Sequence, residues 1–238
     1  MNSEKKKAIV NNSNSVYFNV KQIDRICSEL TDMYTEKKLD EGTLITQIDI
    51  EEFTIKILGC SIVYENIAED ADCLGFLSDG ISSLPVTRNE QTISIVFPKD
   101  TIVIDKFLNE PNQDNLKRQI IAHEAGHVIK NRMCGTTVAE FNHAGGIELR
   151  SFDDIHKRLS IKEAEADRFA LSLLMPECMV AMLMHKIYGD EKIEKNTDNT
   201  LTGKDAYRVS LMAKILGVSY NSMFIRLMNL KMIIDSND

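Results

Sequence analysis

Residues 118–127 read Arg118-Gln119-Ile120-Ile121-Ala122-His123-Glu124-Ala125-Gly126-His127, and a later stretch reads Glu163-Ala164-Glu165-Ala166-Asp167-Arg168-Phe169-Ala170. Around the first stretch, Leu116, Ile120, Ile121, Val128 and Ile129 recur near a period of 3.6, which predicts a helix from Asn112 to about Arg132. On such a helix His123 and His127 are separated by about 40° around the axis and about 6 Å along it. Both imidazoles can therefore reach one ion. Glu124, one step from His123, can bring its carboxylate to water beside that ion without binding the ion itself, the disposition a hydrolase needs in a general base.

Two imidazoles do not complete a metal site. A second helix is predicted to start near Ser160, with Ala166, Phe169, Ala170, Leu173 and Leu174 on its apolar face. Glu163 and Asp167 are four apart on that helix and share a face. Glu163 then completes a His₂Glu set with a fourth position left open, and Asp167 orients a ligating imidazole from behind. Other assignments compete. Ser160 and Glu163 also spell a capping box, in which the glutamate bonds backbone N–H instead of metal. Glu165 points about 200° away from Glu163 and has no partner four residues on, so it is read as solvated. His123 and His127 could be ordinary surface or core histidines. His143 and His156, in or near the stretch between the two helices, are candidate oxyanion stabilisers. His185 reads as a packing or surface residue, and spacing says nothing for Tyr188 and Tyr207.

Upstream, Val20 to Leu39 has the three-to-four spacing of an amphipathic helix, and Asp49 with Glu52 reads as a capping box opening a short helix that stops at Gly59. Strands are predicted at Ser61–Tyr64, Leu74–Leu77, Thr92–Phe97 and Thr101–Ile104, forming a small sheet. The last of these, if it is the sheet edge beside the metal, could align an extended peptide. Cys134 to Phe152, with Gly135, Gly145 and Gly146, reads as an irregular connection. A break at Pro176 precedes a helix around Met179–Tyr188, Asp190–Gly203 reads as a linker, and two short helices flank Gly217-Val218-Ser219.

Composition limits the rest. No segment approaches the roughly 20 apolar residues of a membrane span, so a soluble protein without membrane contact is expected. Five cysteines, scattered and without a C-x-x-C pair, fit a reducing cytoplasm better than a disulfide framework, and no export signal is evident in the Asn/Ser-rich start. A net charge of −8 argues against dominant contacts with phosphate backbones.

The blocks Arg118–His127, Glu163–Ala170 and Leu173-Leu174-Met175-Pro176 together resemble the ImmA/IrrE metallopeptidases, and H-E-x-x-H followed by E-x-x-x-D is similar to the gluzincin signature. The likeness covers about Ile48 to Pro176, and the C-terminal helices loosely. It implies an α+β, zincin-like metallopeptidase domain over residues 20–189, after an N-terminus (1–19) expected to lack order. A linker (190–203) and a helical C-terminal segment (204–238) would follow. It also implies Zn²⁺ held by His123, His127 and Glu163, with Mn²⁺ as a second candidate, catalysis by Glu124, and cleavage of a helix-turn-helix repressor that relieves transcriptional repression. Members of the stress-response branch carry a further C-terminal sensor domain, so the shorter, ImmA-like branch is expected. The C-terminal segment is itself similar to a helix-turn-helix, with Ser219 as a cap, and carries Lys204, Arg208, Lys214, Arg226 and Lys231 against Asp205. A DNA-binding or repressor-sequestering regulator with a structural or inactive metal site is the alternative; a helical cap docked on the catalytic domain is another reading of these helices.

Overall fold

A computed structural model describes residues 17–71, 73–136, 140–143, 161–189, 192–196 and 200–235. The N-terminal stretch expected to lack order and the site candidate His156 lie wholly or largely outside them. His143 is placed only as part of a strand.

The chain enters through α1 (Val20–Asp40), started by a capping box between Asn19 and Gln22 and burying Ile23, Cys27, Thr31 and Tyr34. Asp49 caps α2 (Ile50–Lys56) by accepting the Glu52 N–H. The reciprocal half of the expected box is absent among the described contacts: the Glu52 carboxylate accepts from Tyr34 Oη at 2.7 Å and pairs with Lys38 and Lys56.

Five strands follow: β1 (Ser61–Glu65), β2 (Cys73–Leu77), β3 (Ser83–Arg88), β4 (Gln91–Val96) and β5 (Thr101–Asp105). After α3 (Asp114–Cys134) comes β6 (Glu140–His143), inside the stretch expected to be irregular. The main sheet has the order β1-β5-β2-β6, with β1 and β5 parallel and the other pairings antiparallel. β5 is therefore internal, so the condition under which it could align a peptide as the sheet edge is not met; among the described residues β1 and β6 are the outer strands. β6 carries no local signal because its order comes from pairing with β2, far away in sequence.

β3 was also not anticipated, since Pro85 sits in its middle and proline argues against a paired strand. Pro85 faces Ser94 at a non-hydrogen-bonded pair of the ladder, where β4 requires no N–H from it, and its carbonyl accepts from the Ala68 N–H at 3.0 Å on the other side. β3 and β4 form a hairpin whose two turn residues, Asn89 and Glu90, both have positive φ, as a primed two-residue turn requires. The hairpin covers one face of the sheet, where Leu84 and Val86 cluster with Phe76 and Val103. Leu77, Ile102 and Ile104, on the other face, join the main core against α3.

α4 (Ile161–Leu174) and α5 (Glu177–Tyr188) lead into β7 (Ile193–Lys195), a short strand inside the expected linker. α6 (Gly203–Leu216) and α7 (Tyr220–Asn229) follow, and β8 (Ile233–Asp235) returns to pair in parallel with β7. The last helices share the main core: Met212, Leu216, Met223 and Leu227 cluster with Ile23, Ile121, Phe169 and Leu173. Two arginines bind them in place. Arg118 of α3 donates to the carbonyls of Leu216 and Gly217, at 3.3 and 3.1 Å, where α6 ends. Arg226 of α7 is 2% exposed and donates to Met175 O, Asp24 Oδ1 and Ser172 Oγ. The architecture is α+β, as the sequence implied. No single helix among the described residues is long and apolar enough to cross a membrane.

Candidate metal centre

Among the described residues, α3 and α4 form the most extensive helix contact. They meet at Gly126, where an added Cβ would stand 2.8 Å from Phe169 Cβ and 3.0 Å from the Ala166 carbonyl oxygen. Only a residue without a side chain lets the helix axes come this close. That approach carries His123 and His127, one on each side of Gly126, onto the face of α4 that presents Glu163 and Asp167.

The donor atoms converge. His123 Nε2 lies 3.1 Å from His127 Nε2 and 3.1 Å from Glu163 Oε2, and His127 Nε2 lies 3.6 Å from the same oxygen. Tetrahedral ligands about 2.0–2.1 Å from zinc are about 3.3 Å from one another, so this triangle has the dimensions of three corners of such a site. Hydrogen bonding alone accounts for it poorly. His123 Nε2 has one proton or one lone pair, and two donor-set atoms face it at the same distance. His123, His127 and Glu163 thus form a group that could hold a metal ion.

Behind the ring, Asp167 Oδ1 is 2.8 Å from His123 Nδ1. A carboxylate there fixes the proton on Nδ1 and turns the Nε2 lone pair towards the other two donors. His123, His127 and Asp167 are buried, and the Glu163 side chain is partly exposed, which leaves an approach from solvent on that side. Electrostatics favour positive charge at the centre. Burial alone would lower the His123 pKa, but hydrogen bonds to Asp167 and Glu163 outweigh it and raise the value to about 10. Burial would likewise raise the Glu163 pKa, yet the two histidines hold its carboxyl well below the usual range.

Glu124 is fully buried at the next position along α3. Its carboxylate lies under β2, where Gly75 leaves room: a Cβ at residue 75 would be 2.9 Å from Glu124 Oε1 and 2.7 Å from Ile120 Cγ2. Sequence reading missed this contact. β2 also bulges there, since Cys73 pairs with His143 and Gly75 with Asn142, leaving Leu74 as an extra residue.

Glu165 requires a correction. Expected to be solvated, it is 1% exposed. It forms a buried pair with Lys130 of α3 and accepts the Phe18 N–H at 2.5 Å. What lies around it is protein. Of the remaining candidates, His185 is exposed on α5 and Tyr207 is largely exposed, while Tyr188 is buried, donates to Asp205 O and stacks under Arg208. No protein-family model matches the chain, and no curated protein sequence does.

Proposed function

We propose that this chain is a zinc-dependent endopeptidase of the ImmA/IrrE kind, and that it cleaves a helix-turn-helix repressor to relieve repression. The observation that carries the reading is the triangle of His123 Nε2, His127 Nε2 and Glu163 Oε2, with Asp167 behind the first. The three motif blocks that resemble the family supply the substrate class.

His123, His127 and Glu163 would hold the ion, and Asp167 would keep His123 in the ligating tautomer. When bound, zinc supplies Lewis acidity towards a peptide carbonyl and towards water; the same donors also accept manganese. Glu124 would take the proton of the attacking water on its carboxylate and return it to the leaving amine nitrogen. The edge of the main sheet at β6 offers main-chain groups to which an extended peptide could add. The proposed setting is the cytoplasm.

The test is metal analysis of the purified protein followed by incubation with candidate repressors and mass spectrometry of the products. Cleavage at one bond, lost in Glu124→Gln with metal retained, is the expected result. If Glu124→Gln leaves regulation of the partner intact, the protein is instead a DNA-binding or repressor-sequestering regulator.

A further inference from the structure

Resting on the assignment of Glu124 as general base, we infer that Gly75 is a positioning residue: the bulged β2 backbone seats the Glu124 carboxylate, and only glycine leaves space for it.

The geometry is specific. The nearest atoms to an ideal Cβ at residue 75 are Ile120 Cγ2 at 2.7 Å, Glu124 Oε1 at 2.9 Å and Glu124 Cγ at 3.3 Å, all closer than side-chain atoms normally approach a Cβ. Gly75 does not have a positive φ, so its conformation does not demand glycine. The demand comes from the space beneath it. Ile120 and Glu124 are one turn apart on α3, and β2 lies across both.

The two obstacles differ in stiffness. Ile120 is fully buried and β-branched, with one strongly preferred χ1 rotamer in a helix, so its Cγ2 atom holds its place. The carboxylate stands at the end of three rotatable bonds. A methyl group at residue 75 is therefore expected to push β2 slightly off Ile120 and to displace the carboxylate, while the metal donors, which are not among its nearest neighbours, stay in place. The bulge at Leu74 explains how β2 can come this close without losing its pairing to β6: the extra residue absorbs the shift in register.

The test is Gly75→Ala in the full chain. Zinc content should equal that of the parent, and a crystal structure should show the Glu124 side chain rotated with His123, His127 and Glu163 unmoved. With internally quenched peptides kcat should fall by about 100-fold while KM changes little, as displacement of a catalytic group by about 1 Å implies. Thermal melting supplies a readout that needs no substrate. The loss of stability caused by Gly75→Ala should be smaller in a Glu124→Ala background, because the carboxylate has been removed. If Gly75→Ala alone does not fold, adding Ile120→Leu, which removes the Cγ2 branch, should restore folding, and the same cycle is then run in that background. An unmoved carboxylate, an unchanged kcat in a protein that cleaves peptides, or equal destabilisation in both backgrounds would overturn the inference. Failure of the parent protein to cleave any peptide would defeat the functional reading, while the structure and the melting cycle would still decide the role of Gly75.

Discussion

The Ala166 carbonyl oxygen faces Gly126 so closely that a Cβ on Gly126 would lie 3.0 Å from it. Gly126 sits between the two histidines, so this contact sets how near α3 and α4 can bring their donors. Overpacking a dense interior costs about 1–3 kcal/mol, and the better helix propensity of alanine returns about 1 kcal/mol. Gly126→Ala should therefore lose up to about 2 kcal/mol in urea unfolding of the metal-free protein, and should also bind zinc more weakly in calorimetric titration. A stable variant with unchanged zinc affinity would show that the helix approach is not what sets the site.

Asp167 is expected to act through His123 alone. Replacing it with alanine should weaken zinc binding by about 10- to 100-fold, the usual cost of removing the carboxylate behind a ligating histidine. Competition with a chromogenic chelator would measure this directly.

The Lys130–Glu165 pair joins the same two helices away from the metal donors. Lys130→Met leaves a buried carboxylate without its cation and should cost about 3–5 kcal/mol. Lys130→Met with Glu165→Leu should recover most of that loss but not all, because the Phe18 N–H also loses its acceptor. Denaturant unfolding of both proteins provides the comparison.

Glu52 gives a pH-dependent contribution. Hydrogen bonds from Lys38, Lys56 and Tyr34 lower its pKa from the ordinary 4.5 to about 2. A depressed carboxylate stabilises the fold above its unfolded pKa and loses that contribution as pH falls through the folded value. Glu52→Gln should therefore be less stable than the parent by about 1 kcal/mol at neutral pH, a figure kept small by solvent screening. The gap should close between about pH 4.5 and pH 2 in thermal melts.

Much of this was visible in local pattern. The period of Leu116, Ile120, Ile121, Val128 and Ile129 gave α3, and four-residue spacing put His123 with His127 and Glu163 with Asp167. Helical geometry repeats within a few residues, so short spacing suffices to read it. What escaped depends on partners distant in sequence. Glu165 looked solvated because a helical projection gives a direction and not what stands there. Gly75 looked like an unremarked strand residue because Glu124 is brought beneath it only by the sheet. β6 and β7 exist through pairings with β2 and β8, and their own residues carry little strand signal.

Asp24 and Arg226 are 2.5 Å apart in space and separated by almost the whole chain. Arg226 also serves Ser172 and the Met175 carbonyl, at the end of the helix that carries Glu163 and Asp167. During synthesis, α1 and α4 leave the ribosome with these acceptors turned towards a cation that has not yet been made. Arg226 can hold the last turn of α4 only once α7 has been made. A candidate metal centre assembled in this order would remain loosely held in the nascent protein until α7 has been made.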